Sequence, residues 1–103
     1  MTLKECKRRL DGLSLYLTIA KNRFEIPSCV DRAAVKLVEN LIASVKRAYD
    51  SAVMLGRSRV YGVRKPLNRA RFEIGRIIKE YERREEKAAK ELFRLALRLG
   101  GKK

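Results

Sequence analysis

A chain of 103 residues with 26 Lys and Arg against 12 Asp and Glu, a formal net charge of +14, has room for one domain but not for two separately buried cores. Its 46% apolar and 37% charged residues exclude a wholly disordered tail, which lacks the apolar groups that offset chain entropy. Two prolines and six glycines favour helix over strand. There is no His, Gln or Trp, a composition of the kind found in thermophile proteins. No stretch long enough to span a membrane is free of charge, and no uninterrupted apolar core of a signal peptide follows MTLKECKRRL. The expectation is an intracellular protein, cytoplasmic or nucleoid-associated, or a virion component made in a cytoplasm.

The first helix is announced by Thr2 with Glu5 three residues later, a spacing that lets each side chain satisfy the other's backbone amide. Leu3, Cys6, Leu10, Leu13, Leu17, Ala20 and Phe24 follow in alternating steps of three and four, an apolar seam down one face. Leu15, Tyr16 and Ile19 widen that stripe, which predicts more than one neighbour. Gly12 inside the helix costs about 1 kcal/mol relative to Ala, and close packing or a bend are the reasons to look for.

Ile26 and Pro27 end this helix, because a residue before proline is pushed towards extended geometry. Ser28 with Asp31 restarts a second one. Val30, Ala34, Leu37, Leu41, Val45, Ala48, Ala52 and Leu55 form its seam, flanked by Val38, Ile42, Tyr49 and Val53. As the most apolar element it is expected at the centre of the packing, ending at Gly56. Cys6 and Cys29 then lie at opposite ends of an antiparallel helix pair, roughly 25 Å apart at about 1.5 Å per residue. That distance excludes a disulfide between them, and both read as small buried apolar residues.

Residues 56–68 read as a basic connector carrying Gly56, Gly62 and Pro66, long for a helical domain and so expected to be functional or mobile. The pattern leaves open whether Val60, Tyr61 and Val63 form a short turn or strand. Asn68 is a suitable N-cap for a third helix running to about Leu99 and stopping at Gly100 and Gly101, with residues 100–103 as a flexible tail. Ile74, Ile78, Tyr81, Glu85, Ala88, Leu92, Leu95 and Leu99 keep the seam spacing over a length on the order of 45 Å. The charged middle of this helix should be solvated, supported by pairs such as Glu80 with Arg84 and Glu86 with Lys90. Towards its end Leu92, Phe93, Leu95, Ala96, Leu97 and Leu99 cover more than one face, so a second chain is expected there, with Leu92, Phe93, Leu95 and Leu99 as the oligomer interface. The fold class is therefore all-α: a single domain of an antiparallel helix pair, a basic connector and a long C-terminal helix completing a three-helix bundle, oligomeric as a homodimer or larger.

Charge is concentrated in one stretch. From Arg57 to Lys79 there are eight cations and one anion, a net +7 that is half of the chain's total. A run without counter-charges repels itself unless a polyanion neutralises it. Even with every acid paired the chain keeps +14, and a pI of about 10.4 meets the basic-patch criterion for nucleic acid. Arg57, Arg59, Tyr61, Arg64, Lys65, Arg69, Arg71 and Arg76 are the candidate contacts. Arginine's planar fork grips phosphate oxygens bidentately, Arg69 and Arg71 are placed at a helix N-terminus whose amides also favour phosphate, and Tyr61 stacks on a base or sugar, or else lies as a lid over the core. Lys4, Lys7, Arg8, Arg9, Lys102 and Lys103 form a secondary group whose ordinary role is solvation. With no helix-turn-helix spacing, zinc finger or aromatic-rich RNA motif to read bases, binding is expected to ignore sequence, with DNA ahead of RNA.

Enzyme signatures are absent: there is no His for acid–base work, no phosphate loop, no GxGxxG, and no Ser or Cys with a visible base. No catalytic residue, cofactor or metal is expected. A helical adaptor or small ribonucleoprotein subunit acting through protein–protein contacts is the alternative. Binding to an anionic membrane surface ranks behind both, because the helices are finely heptad-patterned and Trp is absent.

Overall fold

The structure, a computed structural model, describes the backbone of residues 1–24 and 29–100 and the side chains of residues 1–23 and 32–100. The break expected at Ile26 and Pro27, the Ser28 and Asp31 cap, the side chains of Phe24, Cys29 and Val30, and Gly101, Lys102 and Lys103 lie outside the described residues. The chain is all-α, with three helices: α1 (Leu3–Phe24), α2 (Cys29–Met54) and α3 (Arg64–Gly100). Among the described residues the sole β-type pairing is an isolated antiparallel bridge between Thr2 and Arg59.

Local chemistry accounts for the helix ends. The Glu5 amide donates to Thr2 Oγ1 at 3.2 Å and the Cys6 amide to the Thr2 carbonyl at 3.0 Å, so Thr2 is the N-cap of α1. At the end of α2 the Gly56 amide donates to the Val53 carbonyl at 3.1 Å and the Arg57 amide to the Ala52 carbonyl at 2.9 Å. That pattern needs a left-handed residue at Gly56, whose φ is +66°. α3 begins at Arg64 and not at Asn68. The Leu67 amide donates to the Val63 carbonyl at 3.0 Å, so Pro66 falls in the first turn, where a backbone N–H has no helical acceptor and its loss costs nothing. The earlier start shortens the connector to residues 55–63 and lengthens α3 to 37 residues, about 55 Å.

α1 and α3 run parallel with a fixed offset. The Met1 amine reaches the Val60 carbonyl, Arg9 reaches Asn68 and Arg23 reaches Glu82, each pair 59 residues apart. α2 runs antiparallel to α1: Lys21 pairs with Glu39 at 3.2 Å near one end, while Leu10 and Asp11 share a cavity with Lys46 and Tyr49 towards the other. The seam of α1 lies in the core, with Cys6, Leu10, Leu13, Leu17 and Ala20 buried. In α2 the most buried residues are Val35, Val38, Val45 and Ala52. Leu37, Leu41 and Ala48 are half-buried and Leu55 is exposed, so α2's buried face is turned towards Val38 and away from the expected seam. α2 packs against both other helices, and its contact with α3 is the most extensive of the three, in keeping with the central place expected of it. α3 contributes Leu67, Ala70, Ile74, Ile77 and Tyr81.

Beyond Tyr81 every residue of α3 to Gly100 is exposed. α1 ends at Phe24, which the common offset places level with Arg83, so α3 outruns its partner. Only the first half of α3 is therefore packed, where the seam spacing had the whole helix completing a bundle. The chain extends over 75 × 24 × 19 Å with a radius of gyration of 19.5 Å, against about 13 Å for a compact domain of this length. Residues 82–100 stand out as an arm about 28 Å long.

Leu67→Ala empties a fully buried site and is expected to cost about 2–5 kcal/mol, whereas Leu92→Ala on the arm leaves the unfolding of the packed body nearly unchanged; urea titration of both variants checks this. Burial also pushes the Cys6 thiol above its ordinary 9.0, keeping it protonated and unreactive. Alkylation mapped to Cys6 should therefore follow unfolding and not precede it.

Candidate nucleic-acid interface

The connector is tied to the chain's N-terminus. The Val60 amide donates to the Met1 carbonyl at 2.9 Å and the Leu3 amide to the Ser58 carbonyl at 3.4 Å, which lays residues 58–60 along the start of α1. Met1, Val60 and Val63 point inward and are buried, with Gly62 between the two valines at φ +73°. Residues alternating with these valines point out, and Tyr61 is 73% exposed. It is thus no lid over the core. Arg57, Arg59, Arg64 and Lys65 are exposed at the same end of the packed body, and a cavity of about 310 Å³ lies there, lined by Met1, Val60, Tyr61, Gly62, Arg64 and Lys65 among others. Lys4 and Arg8, exposed on the first turns of α1, lie beside it because Thr2 is bridged to Arg59.

The corrected start of α3 changes which cations sit at its N-terminus. Arg64 and Lys65 occupy the first turn, which carries no acidic residue, and their amides have no helical acceptor. Two cations on the positive end of a helix dipole are mutually unfavourable unless an anion joins them. Arg69 and Arg71 are one to two turns further along, exposed on different faces. Arg76 is less available: its Nε and Nη2 donate to Glu73 Oε2 at 3.1 and 2.7 Å.

Five of the six glutamates of α3 have a cation partner, Glu73 in Arg76. Glu80 pairs with Arg83 and Arg84, Glu82 and Glu85 with Arg23, and Glu86 with Lys90. Among the described residues, none of Arg57, Arg59, Arg64, Lys65, Arg69 and Arg71 has a carboxylate within ion-pairing distance. The same residues include no group of His, Cys, Asp or Glu that could hold a metal ion, and no helix long and apolar enough to cross a membrane.

A second feature was missed in the sequence. Leu15, Tyr16 and Ile19, expected to meet a neighbour, are 40–62% exposed. With Gly12 and Leu13 they line a groove of about 550 Å³ between α1 and α3, edged by Arg9, Arg71 and Gly75. It adjoins a cavity of about 600 Å³ along α3 that contains Phe72, Arg71, Gly75 and Lys79. Neither glycine serves close packing, since a Cβ on Gly12 or Gly75 would meet nothing within 4 Å. The two glycines inside helices were the available signal, because each weakens its helix without making a turn.

No family model matches this chain, and no curated protein and no solved structure matches it either. The stability of the two open glycine sites is directly testable. Gly12→Ala and Gly75→Ala should each raise stability by up to about 1 kcal/mol, because alanine recovers helix propensity without a clash; thermal unfolding of the single variants reads the change.

Proposed function

We propose that this protein binds nucleic acid without regard to sequence and acts as an architectural or packaging protein, in the manner of chromatin proteins or nucleocapsid subunits, self-associating through its helix seams. The observation that supports the reading most is the separation of charge: six cations gather around the connector with no carboxylate partner among the described residues, while five of the six glutamates of α3 are paired with other cations. A polyanion relieves that repulsion, and counterions released from its phosphates supply the free energy. Arg57, Arg59, Arg64 and Lys65 grip phosphates, Tyr61 lies against a sugar or base, and Arg69 and Arg71 extend the track along α3. Arg76 contributes less because Glu73 shares its guanidinium. DNA in a nucleoid or virion is the favoured polymer.

The adaptor reading keeps one specific observation in its favour, the exposed apolar groove formed by Leu15, Ile19 and Phe72. Salt dependence separates the two. With about six phosphates contacted, log affinity for an unrelated duplex should fall against log salt with a slope of roughly −5, about a thousandfold loss between 50 and 200 mM. Changing Arg57, Arg59, Arg64 and Arg69 together to Ala should make the slope shallower by roughly 3 to 4. Weak binding that the four substitutions leave unaltered would favour the adaptor.

A further inference from the structure

The arm of α3 carries an apolar face with no partner among the described residues of its own chain. Leu67, Ala70, Ile74, Ile77 and Tyr81 form the buried stripe of α3, and Ala88, Leu92, Leu95 and Leu99 continue in the same helical phase along its exposed stretch. Leu92, Leu95 and Leu99 are 68%, 50% and 69% exposed, while Phe93 and Leu97, 66% and 60% exposed, lie on the other side of the helix. Its exposed apolar side chains carry a cost that a partner removes.

We propose that the arm is covered by the same arm of a second copy running antiparallel to it. Charge favours this occupant and this direction. All four carboxylates of the arm, Glu82, Glu85, Glu86 and Glu91, lie in its first half, where four cations balance them, whereas residues 92–100 carry only Arg94 and Arg98. Antiparallel pairing sets each cationic tip against the neutral, carboxylate-bearing half of the other arm, twice over by symmetry. Parallel pairing sets four arginines together at one end, with Lys102 and Lys103 of both chains following in the sequence. The groove between α1 and α3 is a poor seat for the tip, because Arg9, Arg71 and Lys79 edge it and the cavity adjoining it.

The direction has a functional consequence that rests on the nucleic-acid reading. Antiparallel arms overlapping along residues 82–100 put the two copies of Arg64 on the order of 80 Å apart, at opposite poles. Such a dimer bridges two nucleic-acid segments and does not clamp one.

Light scattering should give twice the chain mass, falling to one with Leu95→Asp and Leu99→Asp combined; these sites touch nothing in the packed body, so the variant still folds. Under oxidation, a Glu85→Cys chain and a size-tagged Ala96→Cys chain should form a mixed covalent dimer above the baseline of the unsubstituted chain, whereas Leu99→Cys chains alone should stay at that baseline. A monomeric mass, or Leu99→Cys joined to itself, overturns the proposal. For the consequence, bead-bound duplex should capture a second labelled duplex through the unsubstituted protein. The Leu95→Asp, Leu99→Asp chain should bind one duplex and lose the capture. Mixed cross-linking without any duplex binding removes the nucleic-acid reading and leaves the paired arms standing; duplex binding without mixed cross-linking does the reverse.

Discussion

The parallel register between α1 and α3 governs the rest of this molecule. It is set where the chain's first residues lie against the connector, with Met1 and Val60 exchanging backbone hydrogen bonds and burying their side chains together. Further contacts at Arg9 with Asn68 and Arg23 with Glu82 hold the same offset along the helix pair. Surface pairs of this kind contribute little energy singly. The register is held by the buried side chains between them, since sliding one helix past the other would pull Leu67 and Ile74, both fully buried, out of their places.

Two consequences follow from that single offset. Because α3 has 37 residues and α1 only 22, laying α1 along the first half of α3 leaves the end of α3 past Glu85 without a neighbour among the described residues, and the seam that is core below Tyr81 becomes surface above it. At the opposite end, burying Met1, Val60 and Val63 forces the residues between and around them outward. Arg57, Arg59, Tyr61, Arg64 and Lys65 are held in the open by a connector that is itself tied down at the bridge between Thr2 and Arg59. The molecule therefore separates its two unsatisfied surfaces, cationic at one pole and apolar at the other, along its 75 Å length. Among the described residues one surface lacks counter-charge and the other lacks apolar cover.

Much of this was legible from residue order. Thr2 and Glu5 marked a helix start, Gly56 a helix stop, and the steps of three and four in α1 named core residues, because caps and seams depend on neighbours within a turn or two. The start of α3 at Arg64, ahead of Asn68, was not legible. Pro66 reads as a breaker in a string of letters, yet it is harmless in a first turn, and only Val63 accepting from Leu67 shows which case applies. The buried face of α2 was displaced for a related reason: it is apolar on a wide arc, and which part of a wide arc is buried depends on where its neighbours stand. The groove at Gly12 and Gly75 was invisible because its walls come from two helices far apart in the chain.

By itself the sequence determined the helical class, the start of α1 at Thr2 and the stop of α2 at Gly56, and the excess of cations near the connector, all of which are properties of short windows or of sums. Tertiary structure alone decided that the same apolar stripe is core along one stretch of α3 and exposed along the next, and that the connector's cations face water without carboxylate partners among the described residues. Burial and pairing are relations between distant residues, set by helix lengths and register, and no periodicity within one helix carries that information.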